Sequence, residues 1–345
     1  MNSAGPRISG AWRRAFDGDS AAASDPAFGI YVADLVRPYG LPLRDDLVKA
    51  GRGQSYGEMA GDLLAEKLPP DQPIDLLVLA FAVSDVVPGR ATASHLSYRC
   101  PGGPLAFAVC DEGSAAPFTG LRLIREYFRA GSCDRAVLVA AEQSVLHYQL
   151  GTPAPVPARH AVVALRFDRS GAGQPAAVRQ HVNVAPGRVA SLLAGELTGV
   201  GAGQGELTVV AGTAVAEIAE AALTGIGARV LIAPGGQPCT GVWWDAAGRL
   251  AASPGDGRLL LADYDPLLGN LSICAIGISL LSNCGHSAAG HQSAPVPIDA
   301  VPIDAAHCPA RRLRVLIVRI TQKANAITSR PSSEPHNGVK QPQRE

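Results

Sequence analysis

Charge is scarce in this sequence, and neither sign is in excess. Only 17% of the 345 residues are Asp, Glu, Lys or Arg, and 30 basic residues balance 30 acidic ones. Without a basic surplus the chain has no general attraction for a polyanion, so nucleic acid is not the expected partner. Long apolar runs are missing too. No stretch of about 18 consecutive apolar residues suggests a membrane span, and the opening MNSAGPRISGAWRRAFDGD has no apolar core of the kind export needs. The seven cysteines are odd in number and show neither CxxC nor His-paired spacing, which argues against a zinc site or a disulfide framework. The expectation is a cytoplasmic protein with reduced thiols, no metal and no bound cofactor.

What the chain has in quantity is apolar residues (47%), with 38 Gly and 27 Pro. That composition suits a compact protein with many tight turns, and the length suits two fused halves. Residues 107 to 143 organise the reading. A short apolar segment ends at Cys110 and meets the polar turn Asp111-Glu112-Gly113, after which Ser114 opens a small-residue run. Phe118, Leu121, Ile124 and Phe128 recur at helical spacing, so one helix face is buried. Gly131 closes the helix, and RAVLVAA (135 to 141) predicts a strand buried on both faces. A side chain at such a turn sits over a helix N-terminus, where free N–H groups and the helix dipole favour developing negative charge. Ser114 occupies that place as a candidate nucleophile; helix capping is the plainer role for a serine there.

The rest follows the same grammar. Arg7 to Trp12 predicts a first strand, residues 56 to 68 an amphipathic helix with Met59, Leu63, Leu64 and Leu68 on one side, and Asp75 to Val83 another buried strand. Ala158 to Phe167 predicts a strand whose His160 is a weak candidate base. Residues 168 to 176 (DRSGAGQPA) divide residues 1–170 from a second half, 171–328, with strands at 178 to 184, 207 to 210 and 228 to 233 and a helix at 214 to 224. Arg312 to Ile320 reads as a last strand, and 329–345 lacks apolar anchors and is expected to be a disordered tail. Alternation of strand and helix predicts a mainly parallel α/β sheet covered by helices.

The stretch around Ser114 resembles the nucleophile region of the thiolase superfamily, and of ketoacyl-ACP synthase III and its relatives within it. Counting back from Gly131 places Ser114 where those proteins carry a cysteine. Two further places carry the resemblance. ARVLIAPGGQPC (228 to 239) is similar to the strand ending in Pro-His-Gln, with Gly235-Gly236 where the histidine is expected; YDPLLGNLSICAIGISLL is similar to the Gly-Asn motif that opens the second buried helix, with Asn270 on the asparagine. The resemblance implies a duplicated five-layered α/β/α/β/α fold and a homodimer in which the strand after the nucleophile helix, RAVLVAAEQ, pairs across a twofold axis.

It also implies acyl chemistry with acyl-CoA and an acyl carrier protein, in polyketide or fatty-acid biosynthesis. An enolate needs two donors on the thioester oxygen; losing the histidine removes one, an effect on the order of 100- to 1000-fold in rate. A serine can instead carry an acyl group as an oxyester if a base takes its proton. His286 and His291 are the candidate bases, with Asp299 or Asp304 to orient them; Asp111 and Glu112 are close in sequence but suit capping. Three readings stay open: an acyltransferase delivering a starter unit through Ser114, a 3-oxoacyl-ACP synthase performing decarboxylative condensation with Asn270, and a catalytically silent partner subunit.

Overall fold

The computed structural model describes residues 5–87, 91–150, 156–170, 174–198, 200, 206–221, 228–252 and 258–277. Within them the chain forms ten strands: β1 (Arg7–Phe16), β2 (Leu76–Ala80), β3 (Leu105–Val109), β4 (Arg135–Glu142), β5 (His160–Asp168), β6 (Gln174–His181), β7 (Leu207–Ala211), β8 (Arg229–Ile232), β9 (Arg258–Asp265) and β10 (Asn270–Ile276). The helices are α1 (Pro26–Val36), α2 (Asp45–Lys49), α3 (Tyr56–Lys67), α4 (Thr92–Arg99), α5 (Ala116–Arg129), α6 (Pro186–Thr198), α7 (Thr213–Ile218) and α8 (Gly241–Ala252).

Strand order in the sheet is β3-β2-β4-β5-β1-β6-β10-β9-β7-β8. Read inward from either edge it is the same arrangement twice. β2 lies parallel between β3 and β4, followed by antiparallel β5 and β1. β7 lies parallel between β8 and β9, followed by antiparallel β10 and β6. The two five-strand sets meet where β1 pairs with β6 through Ile8–Gln174 and Arg7–Pro175. In this duplication α5, between β3 and β4, and α8, between β8 and β9, are equivalent helices.

Alternation along the strands assigns the layers, because successive strand residues face opposite sides. Ala136, Leu138 and Ala140 of β4 join Leu259 and Leu261 of β9 in one core with Phe118 and Leu121 of α5 and Val242 and Trp243 of α8. The interleaved Val137, Val139 and Ala141 pack instead with Met59, Leu63 and Leu96 of α3 and α4. Leu260, Ala262 and Tyr264 pack with Val189, Leu193 and Val215 of α6 and α7. Two central helices between two sheets, each sheet covered outside by a helix pair, make five layers. At the centre the rings of Phe118 and Trp243 stand 4.8 Å apart at 58°.

Two expectations are corrected. β4 does not offer an edge: it is bonded to β2 on one side and to β5 on the other, so its unbroken apolarity reflects burial on both faces. Among the described residues the strands with an unpaired edge are β3 and β8. The second central helix also does not follow Asn270. Gly269, at φ +64°, closes a tight hairpin and Asn270 starts strand β10; the helix packed against α5 is α8, which follows the Pro-Gly-Gly-Gln stretch. Leu271, Ile273 and Ala275 alternate with Ser272 and Cys274 toward two different cores, a period of two that the segment's small and apolar residues also permit. The strand expected at Arg312 to Ile320 and the tail 329–345 lie outside the described residues.

Candidate active site

β3 ends at Val109, and the chain reverses through Asp111 (φ 64°) and Gly113 (φ 53°) before α5 starts at Ala116. Two left-handed residues within three make a sharp turn, one of them a non-glycine in a sparsely populated region that costs on the order of 1–3 kcal/mol. Glycine is required at the second. A Cβ on Gly113 would lie 1.9 Å from Asp265 Oδ2. The turn is held by the Ala115 amide donating to the Glu112 carbonyl at 3.0 Å, and by the Thr119 hydroxyl donating to the Glu112 carboxylate. Gln180 of β6 adds a crosspiece, donating to the Ala115 carbonyl at 3.3 Å, to Thr119 Oγ1 at 3.0 Å and to Ser272 Oγ at 3.3 Å.

This turn carries Ser114 into the interior, where it is 6% exposed. Its amide donates to Asp265 Oδ2 at 3.3 Å. Its hydroxyl makes no capping bond and has no hydrogen-bond partner of ordinary geometry. The nearest influence on it is Asp263: the hydroxyl is close enough to that carboxyl to favour its ionised form. Ser114 Oγ is thus a buried hydroxyl beside a carboxyl.

β9 and β10 supply the facing wall. Asp263 and Asp265 continue the central-face positions of Leu259 and Leu261, so both carboxyls point toward the α5 turn. Asp263 keeps some exposed surface, yet its carboxyl is enclosed on the side of Gly212, where an added Cβ would stand 2.1 Å from Oδ1. Burial pushes Asp263 up to about 8; the Tyr264 amide draws it down, and the charges of Asp265 and Glu142 add to the rise. Asp265 Oδ1 accepts from the Leu267 and Leu268 amides at 3.0 and 3.1 Å, closing the β9–β10 hairpin, while Oδ2 reaches Ser114. Asn270 is the register partner of Asp265 and shares its face; it is buried and its Oδ1 has no partner. Asp265 thus holds the Ser114 amide of the other repeat and faces Asn270 across the β9–β10 ladder.

A second buried acid lies beside them. Glu142, at the central-face end of β4 and 1% exposed, accepts from the Cys239 amide at 2.6 Å, the Thr240 amide at 3.1 Å, the Thr240 hydroxyl and Gln237 Nε2 at 2.7 Å. Those donors are the approach to α8, so this carboxylate joins the first repeat to the helix N-terminus of the second. Burial pushes Glu142 up to about 7 against the pull of its four donors, Thr240 Oγ1 foremost. Cys239 is held as a thiol by the same burial and by the charges of Glu142, Asp263 and Asp265, with Sγ 3.4 Å from the Gly113 carbonyl.

Of the residues singled out in the sequence, Ser114 is tied through its amide to Asp265, and Asn270 is the register partner of Asp265 on the neighbouring strand. His286 and His291, with Asp299 and Asp304, lie outside the described residues. His160 opens β5 away from this site, its Nδ1 accepting from the Ser144 amide at 3.2 Å, a packing role. Cys110, expected to be a buried strand residue, is exposed just beyond β3. Asp263, Asp265, Glu142 and Cys239 were not singled out; only the acids' place at the ends of apolar runs, LLLADYD and AVLVAAE, marked them.

No protein-family model matches the sequence, and no curated protein is significantly similar to it. Solved structures are similar in fold. AbyA1, a tetronic acid condensing enzyme, superposes with a TM-score of 0.55 at 14% identity over 79% of this chain and 99% of that one. The 3-oxoacyl-(acyl carrier protein) synthase III, FabH, of Pseudomonas aeruginosa PAO1 gives 0.53 at 16% over 79% and 98%. Cerulenin-bound Xanthomonas campestris OleA gives 0.52 at 13% over 80% and 99%. Together with the repeated five-strand pattern and the paired central helices, these likenesses show that the chain has the duplicated, five-layered thiolase fold.

Proposed function

We propose that this protein is an acyltransferase in which Ser114 Oγ accepts an acyl group from acyl-CoA and passes it to an acyl carrier protein, supplying a starter unit to a polyketide or fatty-acid-type assembly. The observation that carries the reading is the buried Ser114 hydroxyl beside the enclosed Asp263 carboxyl, whose ionised form it favours. A serine hydroxyl needs a base, since a helix dipole worth about 1 kcal/mol does not ionise it. Asp263 fills the role first given to His286 or His291: a carboxylate whose burial pushes it up to about 8 is a stronger base than an ordinary aspartate.

In the first half-reaction Oγ bonds to the thioester carbonyl carbon, its proton passes to Asp263, and the carbon–sulfur bond breaks. Asp263 then gives that proton to the departing sulfur, leaving coenzyme A as the free thiol. In the second, the carrier thiol passes its proton to Asp263 and attacks the oxyester, and Ser114 recovers the proton. Asn270, at the same end of the face, is assigned to orient the acyl group through its side-chain N–H2, which can donate to the acyl carbonyl oxygen. The likeness to condensing enzymes supports acyl chemistry on this fold. A homodimer is proposed through the open edge of β3.

The test is intact mass after incubation with acyl-CoA. One acyl adduct on the wild type and none on Ser114→Ala is the expected result. An adduct surviving in the variant moves the chemistry to a thiol such as the exposed Cys110; no adduct with any acyl-CoA supports a silent subunit; carbon dioxide released from malonyl-ACP supports the condensing reading.

A further inference from the structure

A groove of about 320 Å³ runs along the outer side of α8, lined by Arg13, Leu231, Ile232, Asp245, Gly248 and Arg249. Gly248 lies eight residues beyond Thr240, about 12 Å along the helix at 1.5 Å per residue, so the groove is well removed from the Glu142 end of α8.

Beside the groove, outside its lining, stands Trp244. The guanidinium of Arg159 stands 4.1 Å from the indole centroid and that of Arg13 stands 5.0 Å away, and Arg13 Nη1 also donates to the Trp244 carbonyl at 2.8 Å. Stacking occupies the flat faces of a guanidinium and leaves its in-plane N–H groups to fork onto an oxyanion. Arg159 Nε is buried without a hydrogen-bond partner. Arg13 lies directly over Gly248, where an added Cβ would be 2.6 Å from the guanidinium carbon, so the absence of a side chain there lets the arginine lie flat.

Charge and shape select the ligand. Three arginines, Arg13, Arg159 and Arg249, act on a single carboxylate, Asp245, whose nearest ion pair is 3.7 Å from Arg13. Three positive charges against one negative leave two unbalanced, which matches a phosphate monoester, at roughly −1.5 to −2 near neutral pH, better than a carboxylate at −1. The opposite wall is apolar: Leu231 lies beside Ile232, which is 63% exposed at the open edge of β8. An exposed isoleucine beside an arginine cluster suits a ligand that carries its phosphate on an apolar or planar body.

We propose that the groove between α8 and the β8 edge is a binding site for a small phosphate monoester, its phosphate forked by Arg13 and Arg249, with Arg159 adding positive charge from behind Trp244, and its body laid on Leu231 and Ile232. The site is independent of the chemistry assigned to Ser114.

Calorimetry on the full chain tests it with phenyl phosphate, benzoate and inorganic phosphate. Phenyl phosphate is expected to bind at least tenfold more tightly than either of the others. Arg249→Gln, at a helix surface where glutamine is well tolerated, is expected to weaken it tenfold or more. Gly248→Ala, which displaces only the mobile end of Arg13, is expected to weaken it several-fold with unchanged circular dichroism. Benzoate binding equally well would overturn the phosphate assignment, inorganic phosphate binding equally well would overturn the apolar wall, and unchanged affinity in both variants would overturn the site. Acyl labelling of Ser114 is expected to be the same in Arg249→Gln as in wild type; a parallel loss would make the groove part of the acyl-CoA site instead of a separate one.

Discussion

At the scale of single residues, the proposed acyl transfer turns on how a serine with an ordinary hydroxyl would become reactive. The turn Asp111-Glu112-Gly113 delivers Ser114 inward, and the acids of the opposite repeat surround it. In the proposed reaction Asp263 acts as a base only when ionised. With burial pushing it up to about 8, only about a tenth of it is charged at pH 7, so acyl transfer is expected to quicken roughly tenfold from pH 6 to 7 and to level off above pH 8. Asp263→Asn is expected to lower the rate by about 100-fold or more and to flatten that profile. A wild-type profile that does not change across pH 6 to 9 would remove Asp263 from the role. The place of Ser114 at the start of the helix was legible in the sequence, because a polar turn between an apolar strand and an amphipathic run marks a helix start. Asp263 was not, because an acid inside LLLADYD says nothing about which face of the strand meets which helix.

At the scale of elements, the pairing of α5 with α8 joins the two repeats at their shared core. α5 is strongly amphipathic and was readable from Phe118, Leu121, Ile124 and Phe128. α8 was not: GVWWDAAGRLAA has two adjacent tryptophans and four alanines, and no single apolar stripe stands out. The structure separates the two rings, with Trp243 buried against Phe118 and Trp244 turned out between Arg13 and Arg159. Trp243→Ala is therefore expected to cost about 3–5 kcal/mol in denaturant unfolding. Trp244→Ala is expected to cost about 1 kcal/mol or less, because it forfeits only partly exposed stacking. Equal losses from the two would contradict this division of roles. The Gly-Asn resemblance failed at this scale too, since a left-handed glycine closes a hairpin as readily as it precedes a helix.

At the scale of the whole molecule, Glu142 links the repeats by tying β4 to the start of α8. Its carboxyl titrates near 4.5 when unfolded and is pushed up to about 7 in the fold. Between those values the folded protein holds more protons than the unfolded chain, so stability falls as pH rises from about 4.5 to about 7, by on the order of 3 kcal/mol. Asp263 acts in the same direction, its rise carrying the loss on toward pH 8. The melting temperature is expected to be higher at pH 6 than at pH 8.5, with a shallower dependence in Glu142→Gln. Identical slopes for the two proteins would show that this carboxylate does not carry the effect.

The sequence by itself determined the α/β alternation, the first central helix and the serine at its mouth, because each rests on short-range periodicity and turn chemistry that neighbouring residues settle among themselves. Only the tertiary structure decided which strands keep an open edge, which helix is the second central one and which acids face Ser114. Those depend on the register of strands far apart in the chain, and a shift of one residue in register turns a side chain from one face of the sheet to the other.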